Sequence, residues 1–234
     1  MHKSEEHKYS KALSDEYGNQ HYLANELARG GQGVVFRTKD ADLAIKQPLD
    51  ASGQPDKGAN LRARFQNIRL LPMPTRIPIS LRDEPGYVMR LLSGMKPFGA
   101  FDLDGKTKKE LEDQKTVLPQ WLKGIPDKAM ALRLLHYANT GATRRRLLAL
   151  SKSASILARL HSAGLVYGDI STNNAFLGED ASSDVWLIDA DNMRVEMPSG
   201  GTSVYTPGYG APEVVRGTDS SRPRTDCWAF AVMT

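Results

Sequence analysis

Residues 167–174 read YGDISTNN, and no other stretch of this chain says more about its fold. Asp169 is followed closely by Asn173 and Asn174, residue types that are common in ordinary turns. The same side-chain oxygens are also the ligands that Mg²⁺ prefers, and a carboxylate among them can orient an attacking hydroxyl in phosphoryl transfer. The neighbouring segments decide between a plain turn and a catalytic loop.

Downstream, the apolar run from Val185 to Ile188 is typical of a short strand and ends directly at Asp189. Phosphoryl transfer needs one carboxylate to orient a hydroxyl and hard oxygen ligands for a metal ion. Asp169 is the candidate for the first role, and Asn174 and Asp189 are the candidates for the second. Each of the three is also compatible with a turn, so the order of the segments along the chain must distinguish a turn from a catalytic loop.

Upstream, residues 142–164 carry apolar side chains at helical spacing and end at Gly164, which predicts a long helix with a glycine cap. The stretch 96–141 is polar and contains three prolines, and helical pieces are predicted at 108–114 and 127–138. Within the long helix, the run Arg144-Arg145-Arg146 is interpreted as a solvated face.

The first third of the chain predicts strands broken by glycine. Residues 21–27, 34–38 and 42–47 form three short β-like runs, followed by a basic helix-compatible stretch at 61–71 and a further strand at 86–92. The turn between the first two strands lies in LARGGQGVVF, residues 27–36. Such a turn is more often a simple hairpin than a phosphate loop. However, Lys46 follows in the third strand, at a spacing that lets a lysine reach phosphates covered by the hairpin.

Composition excludes several classes of protein. The chain has 234 residues, a formal net charge of +4 and 40% hydrophobic residues, enough for a buried core. Its single cysteine, Cys227, cannot form an internal disulfide, which favours a reducing compartment and a cytoplasmic protein. No apolar run of about 18 residues occurs, and no basic stripe alternates with aromatics, so neither a membrane nor a nucleic acid is an expected partner.

Two later segments complete a recognisable order. Residues 206–213 read TPGYGAPE, and residues 226–230 read DCWAF. Together with the segments above, they resemble the catalytic domain of eukaryotic-type serine/threonine protein kinases, in a divergent, bacterial-type form that stops within the C-terminal lobe. The resemblance spans residues 22–234.

The resemblance implies an α+β, protein-kinase-like fold with two lobes. Residues 1–18 would be a polar N-terminal extension, 19–92 the β-rich lobe and hinge, and 93–234 a partial helical lobe. Such a protein would bind Mg-ATP in the cleft between the lobes and transfer the γ-phosphate to serine or threonine hydroxyls of a protein substrate. The missing remainder of the second lobe, or a partner that covers its place, would be a further contact.

Site roles follow from the same resemblance. Lys46 would contact the α- and β-phosphates, Asp169 would be the catalytic base or orienting carboxylate, and Asn174 and Asp189 would hold Mg²⁺. Asp226 would brace the catalytic loop. The nucleotide would contact Ala28, Gly30, Gly33, Val35, Ala44, Lys46, Met89 and Leu91.

Several positions depart from the family pattern. No Glu or Asp occurs between Lys57 and Ser80, so the helix glutamate that pairs with the strand lysine is replaced by Gln66, which would hold Lys46 less firmly. Ser171 stands where these kinases have a lysine that neutralises transition-state charge. The metal-binding triplet reads Asp189-Ala190-Asp191 rather than Asp-Phe-Gly. The arginine that pairs with the TPGYGAPE glutamate, Glu213, is expected to be absent.

These departures leave two other functions open. A pseudokinase, which works as a scaffold with or without bound nucleotide, would tolerate Gln66, Ser171 and Ala190. A small-molecule kinase of the aminoglycoside or choline type would explain Gly168-Asp169 but not the TPGYGAPE segment. Lys46, Asp169, Asn174 and Asp189 together favour the active protein kinase.

Overall fold

The computed structural model describes residues 11–30, 33–57, 61–69, 78–113, 117–179, 184–196 and 203–234. The described residues fall into two compact units that interleave along the chain. The first unit takes those within Met1–Ser93, Arg159–Tyr167 and Ala190–Met197, and the second takes those within Gly94–Ala158, Gly168–Asp189 and Pro198–Thr234.

The secondary structure is mixed, which confirms the α+β class. The strands are β1 Ala12–Ser14, β2 Gln20–Gly30, β3 Gly33–Thr38, β4 Leu43–Pro48, β5 Ile79–Ser80, β6 Tyr87–Arg90, β7 Met95–Pro97, β8 Leu165–Val166, β9 Ala175–Gly178, β10 Val185–Leu187 and β11 Arg194–Val195. The helices are α1 Leu61–Arg69, α2 Gly105–Asp113, α3 Lys128–Asn139, α4 Ala142–Ser162, α5 Pro212–Val215 and α6 Pro223–Met233, with 3₁₀ turns at Phe98–Phe101, Gln120–Leu122 and Ala190–Asn192.

A six-stranded antiparallel sheet in the order β1-β2-β3-β4-β6-β5 forms the body of the first unit. The strands and the helix predicted for this part of the chain are present, although the end of the predicted helix lies outside the described residues. The sheet begins at Ala12, inside the segment expected to be a polar extension. Leu13 explains this difference, because its buried side chain joins the core of the sheet.

The two faces of this sheet have separate roles. One face carries a core cluster of Leu13, Leu23, Ile45, Leu81 and Val88. On the opposite face, which we call the helix face, Leu61 and Phe65 of α1 pack against Tyr87 of β6. The rings of Phe65 and Tyr87 meet edge to face, with centroids 5.4 Å apart. Helix α1 therefore binds the sheet through apolar and aromatic side chains.

A short strand pair completes the first unit. Strand β11 pairs with β8 in antiparallel register, with Arg194 opposite Val166. The 3₁₀ turn Ala190–Asn192 leads directly into β11 and is closed by a hydrogen bond of 3.1 Å from Met193 N to Ala190 O. The segment 190–196 is thus tied to the first unit by the pairing of β11 with β8 and by a 2.7 Å hydrogen bond from Glu196 N to Gly164 O.

The second unit combines helices with a small sheet in the order β10-β9-β7. The helices predicted in 96–141 are present as α2 and α3, and Asp127 caps α3 by accepting a hydrogen bond from Ala129 N. Strand β7 was not predicted, because it is short and contains Pro97. It is held by pairing with distant β9, where Met95 lies opposite Gly178.

The expectation of a solvated Arg144-Arg145-Arg146 face is wrong for two of the three residues. Only Arg144 is exposed. Arg145 donates a hydrogen bond to the carbonyl of Gly178. The guanidinium of Arg146 lies 4.5 Å from the ring centres of both Phe101 and Tyr137, and its partial burial lowers its pKa.

The long helix α4 has the predicted bounds to within two residues at its C-terminal end, and Gly164 beyond it has φ of +71°. No helix among the described residues is long and apolar enough to span a bilayer.

Candidate active-site residues

All residues predicted to contact a nucleotide belong to the first unit. In an antiparallel sheet, residues directly opposite each other on neighbouring strands point to the same face, as do residues two apart on one strand. Strand pairing sets Ala28 opposite Val35, Gly30 opposite Gly33, Val35 opposite Lys46 and Ala44 opposite Met89. Lys46 also lies opposite Tyr87, so this whole group shares the helix face. Leu91 continues the ladder beyond β6 by donating a hydrogen bond from its amide to Asp42 O.

Lys46 is buried, with only 4% of its surface exposed. Its ammonium lies 3.2 Å from Oδ2 of Asp191, a residue that is itself 8% exposed. A buried ammonium costs several kcal/mol unless a counter-charge compensates it, and Asp191 supplies that charge. The lysine of β4 is therefore held by a carboxylate from the 3₁₀ turn before β11.

Gly33 makes room for this lysine. A Cβ atom at position 33 would lie 2.8 Å from the carbonyl oxygen of Gln47 and 3.2 Å from Cε of Lys46. At Gly30, by contrast, a Cβ would meet no described atom within 4 Å. A glycine is therefore required at position 33, where it permits close packing over Lys46, but no such packing requires one at position 30.

Gln66, expected to take the place of the helix glutamate beside Lys46, has an exposed side chain. Among the α1 side chains that the structure describes, Leu61 and Phe65 pack against the sheet. The expectation that Lys46 would be held less firmly for want of a charged partner overlooked Asp191, whose carboxylate lies 3.2 Å from the ammonium.

The second unit contains the residues predicted to carry the chemistry: Asp169, Asn174 and Asp189. Asp169 is 5% exposed, and both of its carboxylate oxygens accept hydrogen bonds. Thr206 Oγ1 donates to Oδ1 over 2.8 Å, and Asn174 Nδ2 donates to Oδ2 over 3.0 Å. Two donors thus fix the orientation of this carboxylate.

The backbone before Asp169 is also fixed. Gly168 N donates a hydrogen bond of 2.8 Å to Oδ1 of the buried Asp226 in α6. Gly168 has φ of +87°, a left-handed conformation that glycine adopts without strain. The glycine in the sequence Tyr167-Gly168-Asp169 therefore has a structural reason, and Asp226 occupies the bracing position expected for it.

Asn174 and Asp189 are brought together by the β9–β10 hairpin. Ala175 lies opposite Leu187, and Ile188 N donates a 2.9 Å hydrogen bond to Asn174 O, one residue before Asp189. Asn174 Nδ2 also donates to Asp169 O over 2.8 Å, so the amide nitrogen bonds both the backbone and the side chain of Asp169. Asp189 has φ of +59°, a conformation that costs a non-glycine residue roughly 1 kcal/mol.

This donor set fits Mg²⁺. One amide oxygen and one carboxylate are hard ligands, and Mg²⁺ is commonly held by one or two protein groups together with substrate phosphates. Among the described residues, no group of three or more His, Cys, Asp or Glu side chains forms a self-sufficient metal cage. The residues therefore suit a metal ion that arrives with a phosphate ligand.

Ser171 is fully buried, and its Oγ has no hydrogen-bond partner among the described residues. It therefore does not present its hydroxyl to a substrate in the way that a lysine at this position would. The next residue, Thr172, shares a 2.8 Å hydrogen bond with the hydroxyl of Tyr209 in the TPGYGAPE segment. A Cβ at Gly210 would come within 3 Å of Tyr205 and Val215, so this segment is closely packed.

The expectation that Glu213 lacks an arginine partner is wrong. Arg224 of α6 lies 3.3 Å from Glu213 Oε1, and it also contacts Asp219 at 2.5 Å. Arg224 is largely exposed, so this network contributes little to stability. Its effect is to connect the start of α5 with the start of α6.

Sequence reasoning missed Asp191, and a signal for it was present. Asp191 follows an apolar strand in the run Asp189-Ala190-Asp191, while α1 has no acidic residue at all. A buried strand lysine requires a counter-charge, so the second carboxylate of this run was the nearest candidate.

Comparison with known proteins gives a limited likeness to kinases. No family model matches the chain. The serine/threonine-protein kinase kin-29 of Caenorhabditis briggsae is 29% identical over 85 residues, which is 36% of this chain and 10% of that protein. The protein of the same name from Caenorhabditis elegans is 29% identical over 83 residues, again 36% of this chain and 10% of its own length. The chain thus spans about a tenth of the relatives that it matches.

Proposed function

We propose that this chain carries the catalytic residues of a protein kinase that transfers the γ-phosphate of ATP to serine or threonine hydroxyls. The supporting observation is the arrangement of Asp169, Asn174 and Asp189 in one unit, where a fixed carboxylate adjoins two hard oxygen ligands. An ordinary turn would have no need for Thr206 and Asn174 both to donate to Asp169.

In this proposal the helix face of the first unit binds the nucleotide. Ala44 and the half-buried Val35, Met89 and Leu91 give an apolar surface for the adenine ring. Lys46, a cation on the same face, contacts the phosphates. Gly30 and Gly33 border the hairpin that covers them.

The second unit supplies the chemistry. Asn174 and Asp189 hold Mg²⁺, which when bound neutralises charge on the phosphates. Asp169 orients the substrate hydroxyl and accepts its proton. The hydroxyl oxygen forms a bond to the γ-phosphorus while the bond from that phosphorus to the β–γ bridging oxygen breaks, and ADP leaves with the electron pair. Because Thr206 and Asn174 already hold Asp169, little reorganisation is needed at the moment of transfer.

The TPGYGAPE segment supports a peptide acceptor over a small alcohol. Its backbone is closely packed around Gly210, and Tyr209 is linked to the catalytic loop through Thr172. A segment fixed against the loop in this way can position a peptide hydroxyl relative to Asp169. The family likeness to a serine/threonine-protein kinase, although short, agrees with this choice.

A second candidate, a nucleotide-binding pseudokinase scaffold, is favoured by one observation. Helix α1 has no acidic residue, so the lysine–glutamate pair of active protein kinases cannot form. The ion pair of Lys46 with Asp191 weakens the case for a pseudokinase, because the lysine still has a buried anionic partner.

The shift in melting temperature on adding Mg-ATP tests nucleotide binding, because a ligand that binds only the native state must stabilise it. The parent is compared with Lys46→Ala and Asp189→Asn, and with Asp184→Asn as a matched control on an exposed carboxylate. We expect a rise in the parent and in Asp184→Asn, and a smaller rise in the other two variants. A cooperatively melting parent without any shift would contradict the proposed function.

A further inference from the structure

Lys46 and Asp191 form a buried ion pair. The side chains are 5% and 11% exposed, and the nitrogen and oxygen are 3.2 Å apart. In such surroundings an ammonium without a counter-charge would be strongly destabilised. The position of the Lys46 ammonium therefore depends on where Asp191 lies.

Helix α1 cannot supply that counter-charge. Its sequence contains no Asp or Glu, and none occurs anywhere between Lys57 and Ser80. Leu61 and Phe65, the described α1 side chains that pack against the sheet, are apolar and aromatic. The helix contributes packing against Tyr87 and no charge to the lysine.

Asp191 is well placed for this purpose. The 3₁₀ turn Ala190–Asn192 holds its backbone, and β11 just beyond is anchored by its pairing with β8. The same short segment begins next to Asp189, the proposed metal ligand.

We propose that Asp191 is the positioning residue for Lys46, and that it takes over the part that a glutamate on α1 plays in other kinases. Asp191 holds the ammonium on the helix face at the level of Val35 and Tyr87, from where it contacts the nucleotide phosphates. The competence of Lys46 then depends on the segment 190–196 and not on a charge carried by α1. This inference rests on the proposed nucleotide site.

The test is a double-mutant cycle in nucleotide affinity. The dissociation constant of Mg-ATP is measured for the parent, Asp191→Asn, Lys46→Met and the double variant, with Gln66→Ala as the control on α1. Asp191→Asn is expected to weaken Mg-ATP binding by about tenfold or more, since the charge-assisted hydrogen bond that positions Lys46 is lost. Gln66→Ala is expected to bind as the parent does. In the Lys46→Met background, Asp191→Asn should add almost nothing, because the group that it positions is gone.

A second readout is independent of the nucleotide. The rate at which an acylating reagent labels Lys46, read by mass spectrometry, should rise in Asp191→Asn because the ion pair with Asp191 is lost. Folding of each variant is checked by cooperative melting.

Three results would overturn the inference. Binding by Asp191→Asn that equals or exceeds that of the parent would mean that the pair withholds Lys46 from the nucleotide. An undiminished effect of Asp191→Asn in the Lys46→Met background would mean that Asp191 acts through another group. An unchanged labelling rate would mean that the pair does not form. Absence of nucleotide binding in the parent would instead overturn the proposed function, and with it the role of the pair.

Discussion

The hydroxyl of Thr206 donates a 2.8 Å hydrogen bond to Oδ1 of Asp169, and so joins the TPGYGAPE segment to the loop at residues 167–174. The opposite oxygen of the carboxylate is held by Asn174. The carboxylate is therefore fixed from two sides before any substrate arrives. Because the two donors come from different residues, each hydrogen bond to Asp169 can be removed separately by substitution.

Removal of the Thr206 donor should slow phosphoryl transfer. Thr206→Val keeps the shape of the side chain but leaves Oδ1 of Asp169 without this hydrogen bond, so kcat should fall by about tenfold. Thr206→Ser retains the hydroxyl and should keep most of the activity. The measurement is steady-state phosphate incorporation, with the nucleotide KM followed in parallel. A loss confined to KM would show that Thr206 does not act through Asp169.

Substitution of Asp189 should remove the magnesium-dependent part of nucleotide binding. Asp189→Asn preserves a residue type that tolerates φ of +59°, so the backbone should be retained. The melting shift caused by ATP with magnesium should then approach the shift caused by ATP with EDTA. The exposed Asp184→Asn, whose carboxylate pairs with Lys152 at the surface, should behave as the parent. Equal magnesium dependence in the two variants would contradict the assignment of Asp189.

The two glycines of the hairpin should differ in stability. Gly33→Ala sets a methyl group 2.8 Å from Gln47 O, which should cost about 1–3 kcal/mol of unfolding free energy as the strand adjusts. Gly30→Ala meets no described atom within 4 Å and should unfold as the parent does. Urea unfolding of both variants measures this difference. Equal midpoints would argue against the close packing over Lys46.

Stability toward acid should depend on Asp15, which is 1% exposed. Burial raises the pKa of Asp15, but hydrogen bonds from His21, Asn19 and Tyr17 together lower it by a larger amount. The net result is a pKa of about 2. Since the folded-state pKa lies below the unfolded value of roughly 4, the carboxylate stabilises the fold above about pH 4 and loses this effect as the pH falls toward 2.

Asp15→Asn should therefore destabilise the protein at neutral pH by about 2 kcal/mol and flatten the acid limb of the stability profile. The exposed Glu112→Gln serves as the control. Chemical unfolding at a series of pH values between 2 and 7 provides the measurement. A parallel acid limb in Asp15→Asn and the parent would assign the acid sensitivity to other carboxylates.

Local patterns predicted the parts of the fold that depend on neighbouring residues. The strands β2 to β4 and the helix α4 follow from alternation, glycine breaks and helical spacing, all of which are visible within a short window. Strands β7 and β9 were not predicted, because Met95 and Gly178 pair across a long stretch of chain and neither strand has a strong pattern of its own.

The same limit applies to the candidate site. Lys46 and Asp169 can be recognised from the sequence because the residues next to them form characteristic patterns. The residues that contact them come from distant segments. The run Asp189-Ala190-Asp191 offered a nearby carboxylate, but its pairing with Lys46, and the aromatic rings beside Arg146, could be assigned only once the chain was folded. Counter-charges for buried ions are set by tertiary packing, and no local periodicity encodes them.

The proposed kinase activity is tested by comparing phosphate transfer by the parent and by Asp169→Asn. Both proteins are incubated with Mg-ATP and a mixture of serine- and threonine-containing peptides, and the products are identified by mass spectrometry. We expect phosphoserine or phosphothreonine with the parent and a loss of about a hundredfold or more with Asp169→Asn, in which nucleotide binding persists. Equal incorporation by both proteins, or none by a parent that binds Mg-ATP, would contradict the proposed kinase activity.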